Sequence, residues 1–560
     1  MAEIGLPFPR SRIIQAARGS GANPLSRFPE GLRRAAEGKP YLQAYLQGLP
    51  IEEIGVPQYY PELSRSLQSL PVRNLIYPIK QGLFVHIYPD LSGERDYYIP
   101  ITPELPVDLD GLLEEVDLRL LDWAEEIGKA EEGERAQVFL RCLERVCTTR
   151  PGEDDGAIHV SPAQLEAIRY LTLRDKVGLG VLQPLILDPY IEDISCSGMG
   201  SIFVEHKVFQ STKTSIVFSS LDELDEFVVW LGERIKRPVT LRTPIVDAVL
   251  PDGSRINIVY GRDIAKRGSN FTIRKFAEEP LSIVQLIAFG TLTYTMAAYL
   301  WMVIEEGLNV FVCGETASGK TTLLNALTTF ILPDAKVVSI EDTPELQVPQ
   351  ANWLREVVRD TGGNEKSSSV DMFALLKAAL RQRPDRIMIG EIRGIEGNIA
   401  FQAMQTGHGV MATFHAASVQ KLIQRLTGNP INVPKTYIDN LDVVVIQSAV
   451  RGPDGRTVRR VLSINEIVDY EASTDSFSFI TTFRWRPDDD TFEFPGNKNS
   501  YVLEEKLAKK RNLPENRKRE IYQELLKRAR VLEKLHKKGG IDGFYQLFKV
   551  ITEARKQGLV

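Results

Sequence analysis

At 560 residues the chain is too long for one hydrophobic core and is expected to fold as roughly three or four domains. Its 43% hydrophobic and 25% charged residues exclude a disordered, charge-rich chain, and a net charge of -6 argues against a general nucleic-acid binder. Cys142, Cys147, Cys196 and Cys313 form no C-x-x-C pair, so neither a zinc nor a redox site is expected, and a reducing compartment fits.

Met1 to Arg12 holds no continuous apolar run, so no secretory signal is expected. The first part of the chain combines the apolar alternation Gly82 to Pro89 with acidic helical stretches, Glu104 to Glu134 among them, and ends in the turn-rich run Arg150 to Gly156. An accessory domain over 1-150 is expected. Next come a helical pattern from Ala163 to Leu187, broken by Asp188-Pro189, and short strand-like runs at Ile194 to Ser197, Ser201 to Glu205 and Ser215 to Phe218. Helical Leu221 to Ile235 and strands Ile256 to Tyr260 and Phe271 to Arg274 complete a small α+β domain, 151-278.

After Pro280 the texture changes. Leu292 to Ile304 is apolar but short of the ~20 residues that span a bilayer, which predicts a buried helix. Apolar strands Val310 to Cys313, Val337 to Ile340, Ile387 to Ile389 and Val410 to Thr413 alternate with helical segments, which predicts a doubly wound, mostly parallel sheet over 279-500. Asp442 to Gln447 and Arg460 to Tyr470 are expected to extend it. The remaining 501-560 reads as helical, with Ile521, Leu525, Ala529, Leu532 and His536 on one face and Gly539-Gly540 as the stop. The Lys- and Arg-rich stretch Lys506 to Lys538 reads as a solvated helical face.

The chemistry concentrates after the strand Val310 to Cys313. Gly314-Glu315-Thr316-Ala317-Ser318-Gly319-Lys320-Thr321 has P-loop spacing between a strand and a helix, with Thr322 next to it. Glycines there let backbone N–H groups turn toward phosphates, and the helix start adds partial positive charge. Lys320 is expected to reach the β- and γ-phosphates of ATP, and Thr321 to offer its hydroxyl to Mg²⁺.

Glu391 closes the run Arg386 to Glu391 at the end of the strand Ile387 to Ile389 and is the candidate carboxylate beside the attacking water. Gly390 stands where an Asp is usual, so an outer metal carboxylate is expected from Ser339 to Glu345, with Glu341 as the candidate. His408 and His415 bracket another strand and are candidates to hydrogen-bond the γ-phosphate.

These four blocks, in this order, resemble the type II/IV secretion ATPase superfamily of pilus-assembly, type II secretion and archaellum motors. Glu341 to Glu345 looks like its Asp box, Ile387 to Arg393 like its Walker B ending in Gly-Glu, and Thr406 to His415 like its His box. Leu187 to Ile194 and Leu250 to Ile256 look like its PAS-like N-terminal domain, so the resemblance covers roughly Ala163 to Leu426. It implies a RecA-like P-loop NTPase core behind a PAS-like α+β domain, with additional N- and C-terminal helical segments. It also implies that Arg242, Arg255 and Arg274 close over the nucleotide. The lack of any cysteine after Cys313, hence of the tetracysteine zinc module of bacterial pilus members, resembles the archaeal branch.

Implied by the resemblance are a homohexamer, a cytoplasmic location at the inner face of the cell membrane, an integral membrane platform protein and, indirectly, pilin-like subunits. Type IV pilus assembly, protein secretion and archaellum rotation share this chemistry. A nucleic-acid translocase and a non-hydrolysing nucleotide switch are the rivals; the acidic balance stands against the first and an intact Glu391 against the second.

Overall fold

A computed structural model describes residues 3–4, 6, 25–90, 95–103, 109–131, 133–150, 156–276, 279–359, 369–452, 455 and 457–558. Two compact units result, Met1–Phe276 and Ala277–Val560.

In the first unit one mixed sheet runs in the order Ile245–Val249, Arg255–Val259, Asn270–Arg274, Ile191–Cys196, Gly200–His206, Gln210–Phe218, Tyr97–Ile101, Phe84–Tyr88, Leu75–Pro78, Gln58–Tyr59. Pairing is antiparallel along this path except where Gln210–Phe218 meets Tyr97–Ile101 and where Leu75–Pro78 meets Gln58–Tyr59. Strands from both sides of residue 150 therefore share one sheet, and their side chains share one core that joins Leu75, Tyr77 and Val85 to Ile194, Val204 and Phe271. Of the turn-rich run expected at Arg150 to Gly156, residues 151–155 lie outside the described residues. The helix Pro162–Lys176 begins at a capping box in which Ser161 and Gln164 satisfy each other's backbone N–H groups.

Asp188, which breaks the helical pattern after Leu187, is fully buried. Its Oδ2 accepts from the hydroxyls of Tyr77 (2.6 Å) and Tyr98 (2.8 Å), and its Oδ1 from the backbone N–H of Tyr190 (2.7 Å). Lys275 donates to the main-chain oxygens of Leu185 and Asp188. Both carboxylate oxygens are satisfied, as a buried charge requires.

In the second unit we number the sheet strands β1 Val310–Cys313, β2 Val337–Glu341, β3 Trp353–Val357, β4 Arg386–Ile392, β5 Gly409–Phe414, β6 Val443–Arg451, β7 Thr457–Glu471, β8 Ser476–Arg486 and β9 Thr491–Glu493. Their spatial order is β3-β2-β4-β5-β1-β6-β7-β8-β9. From β3 to β6 every pairing is parallel, and from β6 to β9 every pairing is antiparallel. This is the doubly wound RecA-like arrangement with an antiparallel wing.

Strand alternation explains the two cores. Val310 and Val312 of β1, Met388, Met411, Val443 and Val445 point to one layer of helices, while Phe311, Cys313, Ile387, Ile389, Val410 and Val444 point to the other. Strands covered on both faces read as continuous apolar runs, which is why they stand out in the sequence. The helix Tyr294–Glu305 is buried from Met296 to Ile304, and no described helix is long and apolar enough to cross a membrane. The helix Ile521–Lys538 buries Ile521, Leu525, Ala529 and Leu532 in the same core and stops at Gly539 with φ 70°. A buried Glu466 on β7 ties in the C-terminal part, accepting from Tyr299, Ser500 Oγ and the Val502 N–H.

Candidate functional site

At the carboxyl end of β1 the chain enters the loop Gly314 to Gly319 and then the helix Lys320–Leu327, whose first N–H groups have no partner within the helix. Gly319 sits at the helix start with φ 93° and Ala317 has φ 60°, so the loop alternates hand as an anion-binding nest does. Two glycines are sterically required. A Cβ on Gly314 would lie 2.1 Å from the Gln447 carbonyl oxygen, and one on Gly319 would lie 3.0 Å from Gln447 Nε2. Glu315, Thr316 and Ala317 are exposed, whereas Thr321 and Thr322 are half-buried on the helix.

Lys320 Nζ donates to the Glu315 carbonyl oxygen at 3.0 Å. Burial lowers its pKa, and the negative charges of Glu391 and Glu345 oppose that shift. Ser318 Oγ is buried with no hydrogen-bond partner, as is Gln447 Oε1 on β6. Buried polar atoms are normally paired, so these orphans mark a place where a polar ligand belongs.

Glu391 is presented by a bulge. Between Ile389 and Ile392 on β4 lie two residues, Gly390 and Glu391, against the single Thr413 on β5, whose hydroxyl donates to the Gly390 carbonyl. A Cβ on Gly390 would come within 3.2 Å of Glu341 Cγ, which explains the glycine where an aspartate is usual. Arg393 donates to Glu391 Oε2 from Nε (3.0 Å) and Nη2 (2.6 Å), and that bond raises the guanidinium's pKa.

Glu341 ends β2 and is 1% exposed. Its Oε1 accepts from the backbone N–H groups of Glu345 (2.7 Å) and Leu346 (2.6 Å), and Arg355 Nε of β3 lies 3.5 Å from its Oε2. Burial raises its pKa to about 7, with the two N–H groups and Arg355 working against the rise. Its Oε1 is thus committed to its own loop, while its Oε2 is buried without a hydrogen bond beside Arg355.

The histidines separate. β5 runs parallel to β1, so His415, after its last residue, lies at the same edge as the P-loop, and its carbonyl accepts from Arg425. His408 precedes the first residue of β5, at the opposite edge, and its Nδ1 pairs with Thr406 Oγ1 at 3.0 Å. Its expected contact with a γ-phosphate is corrected on that ground. Arg242, Arg255 and Arg274 are exposed residues of the first unit, where Arg255 and Arg274 face each other across paired strands.

Residues beyond the sequence motifs also build the cradle. Arg459 of β7 donates from Nε to the Ala317 carbonyl at 3.1 Å, and Gln447 of β6 backs both glycines. Neither carries a local signal, since their positions depend on how the antiparallel wing folds back beside β1.

A family model described as Type II/IV secretion system protein matches residues 175–530. An uncharacterized protein of the archaeon Methanocaldococcus jannaschii, MJ0900, is 43% identical over 544 residues, covering 94% of this chain and 97% of that one. The probable conjugal transfer protein TrbB of Sinorhizobium fredii is 30% identical over 301 residues, covering 52% of this chain and 89% of its own length. Among solved structures, the pilus retraction motor PilT with bound ADP aligns over 50% of this chain and 80% of that chain, at 19% identity and a TM-score of 0.36. The family model spans more than half of the sequence and carries the P-loop, the Glu341 loop, the Glu391 bulge and His415, and the chain belongs to the type II/IV secretion system protein family.

Proposed function

We propose that the chain is an ATP-hydrolysing motor subunit that works as a homohexamer at the cytoplasmic face of a membrane and powers assembly of type IV pilus-like filaments or protein secretion. The observation that carries this reading is the P-loop between β1 and the helix Lys320–Leu327, with Glu391 presented by a bulge of β4 in the same parallel sheet.

In this reading the loop N–H groups and Lys320 bind the β- and γ-phosphates, and His415 donates to the γ-phosphate. Glu391 orients the attacking water and takes its proton, while Arg393 holds that carboxylate in place. The donor set suits Mg²⁺: a hydroxyl from Thr321 and carboxylates from Glu391 and Glu341, whose Oε2 is buried without a hydrogen bond. When bound, that ion neutralises phosphate charge.

Arg242, Arg255 and Arg274 are proposed to close over the nucleotide, with Phe276 to Ser282 as the hinge. Ala277 and Glu278 of that hinge lie outside the described residues. The division into 1-150, 151-278, 279-500 and 501-560 is kept as a functional proposal, with an integral membrane platform protein and pilin-like subunits as partners. An archaellum motor is the alternative within the same chemistry.

Phosphate release by the purified full chain tests this. The wild type is expected to turn over ATP with Mg²⁺, Lys320→Ala to lose about 100-fold or more, and single-stranded DNA to leave the rate unchanged. Turnover by Lys320→Ala at the wild-type rate sinks the reading; stimulation by single-stranded DNA turns it toward a nucleic-acid translocase. Co-purification of a membrane protein with the chain would then distinguish pilus, secretion and archaellum machines.

A further inference from the structure

Ala317 is the third residue inside the P-loop and its φ of 60° lies in the left-handed region, where a side chain costs energy that glycine avoids. Its carbonyl oxygen is held from outside the loop, by Arg459 Nε at 3.1 Å, from a residue 142 positions further along the chain. The same wing presses on the loop at two more points, since Gln447 has its carbonyl oxygen against Gly314 and its side-chain amide against Gly319. Arg459 also passes close to the loop at a second point, since a Cβ on Gly319 would lie 3.1 Å from its Cδ.

We propose that Arg459 is a positioning residue for nucleotide binding, which keeps the P-loop in its phosphate-accepting shape by clamping the carbonyl of left-handed Ala317. The proposal rests on the P-loop reading above and adds a residue that no motif contains. Physically, a left-handed residue in the middle of the loop directs successive N–H groups to the concave side and its own carbonyl outward. That outward carbonyl is exposed, where water also donates, so what a protein donor adds is a fixed position. A guanidinium supplies that donor with a charge-assisted bond and, opposite Ala449 in the pairing of β7 with β6, a fixed position. Without it, Ala317 relaxes toward the right-handed region, and part of the binding free energy is spent on reforming the cradle.

Equilibrium binding of a fluorescent ADP analogue to the full chain tests the clamp independently of hydrolysis. Arg459→Ala is expected to weaken binding about fivefold, the size of one net hydrogen bond, and to raise KM with little change in kcat. The discriminating step is a double-mutant cycle. Glycine adopts the left-handed conformation freely, so in an Ala317→Gly background the same Arg459→Ala change is expected to cost less than about twofold. Urea unfolding midpoints of all variants within the wild-type error show that the fold is intact. Binding by Arg459→Ala within twofold of wild type overturns the proposal. An equal loss in both backgrounds also overturns it, because Arg459 would then act on the nucleotide directly. No analogue binding by the wild-type chain would remove the P-loop reading itself and the clamp with it.

Discussion

Two buried carboxylates, one in each unit, show how differently the chain uses the same group. Asp188 in the first unit accepts three hydrogen bonds that occupy both oxygens, and Lys275 and His206 close the cluster around it. Glu341 in the second unit has both bonds on one oxygen, and its Oε2 joins Ser318 Oγ and Gln447 Oε1 as buried atoms without a hydrogen bond. A completed network stabilises, whereas Glu341 keeps one oxygen open to a further partner beside Arg355.

The largest expected effect lies on the open side. Glu391→Gln is expected to lower phosphate release on the order of 1,000-fold, with its unfolding midpoint in urea close to wild type. A rate within threefold of wild type for Glu391→Gln would erase the contrast between the clusters. On the closed side, Asp188→Ala leaves two buried tyrosine hydroxyls without their acceptor and is expected to cost about 3 kcal/mol of stability, read from chemical denaturation. A loss below about 1 kcal/mol would mean that the cluster is slack.

The closed side also fixes a pH dependence. His86, between Tyr45 and Asn74, is buried and its pKa is lowered to about 3, and burial does the same to His206. A base whose folded pKa is depressed is neutral in the fold, and the unfolded chain takes up its proton below about 6.5. Stability is therefore fully present above that value and lost as pH falls toward 3, by about 2 kcal/mol per histidine between pH 7 and pH 5. Asp188, raised by burial, works in the opposite sense, so the clean measurement is the difference between wild type and His86→Gln. If the two show the same slope of unfolding free energy against pH, His86 is not neutral in the fold.

How much of this was legible without coordinates follows from range. The P-loop, β1 and β4 stand out because their requirements are local: glycines at fixed offsets, and strands apolar on both faces. Ile245–Val249 was missed because it is an edge strand whose exposed residues break no pattern. His408 was misread because a bracketing pair looks symmetrical in sequence, while a parallel strand sends its two ends to opposite edges of the sheet. Glu341 was named over Glu345 from its place at a strand end alone, whereas the bonds its Oε1 makes depend on which way the loop after β2 turns. Gln447 and Arg459 reach the cradle only through tertiary pairing.

Gly390 sharpens the comparison with the smallest change, a single methyl group. The bulge that presents Glu391 brings β4 so close to β2 that a Cβ at 390 would meet Glu341 Cγ at 3.2 Å and its Cβ at 3.5 Å. Glu341 is held from the other side by two N–H groups of its own loop, so the added methyl is relieved by moving Glu341 or by flattening the bulge. Either response reaches the chemistry, the first through Glu341 and the second through Glu391. Gly390→Ala is therefore expected to cost about 1 kcal/mol of stability and to lower kcat about tenfold, while fluorescent ADP analogue binding stays within about twofold. The split matters more than either number. Binding and turnover falling together would place the strain in the P-loop, and unchanged turnover would mean that neither acid needs the register that the glycine allows.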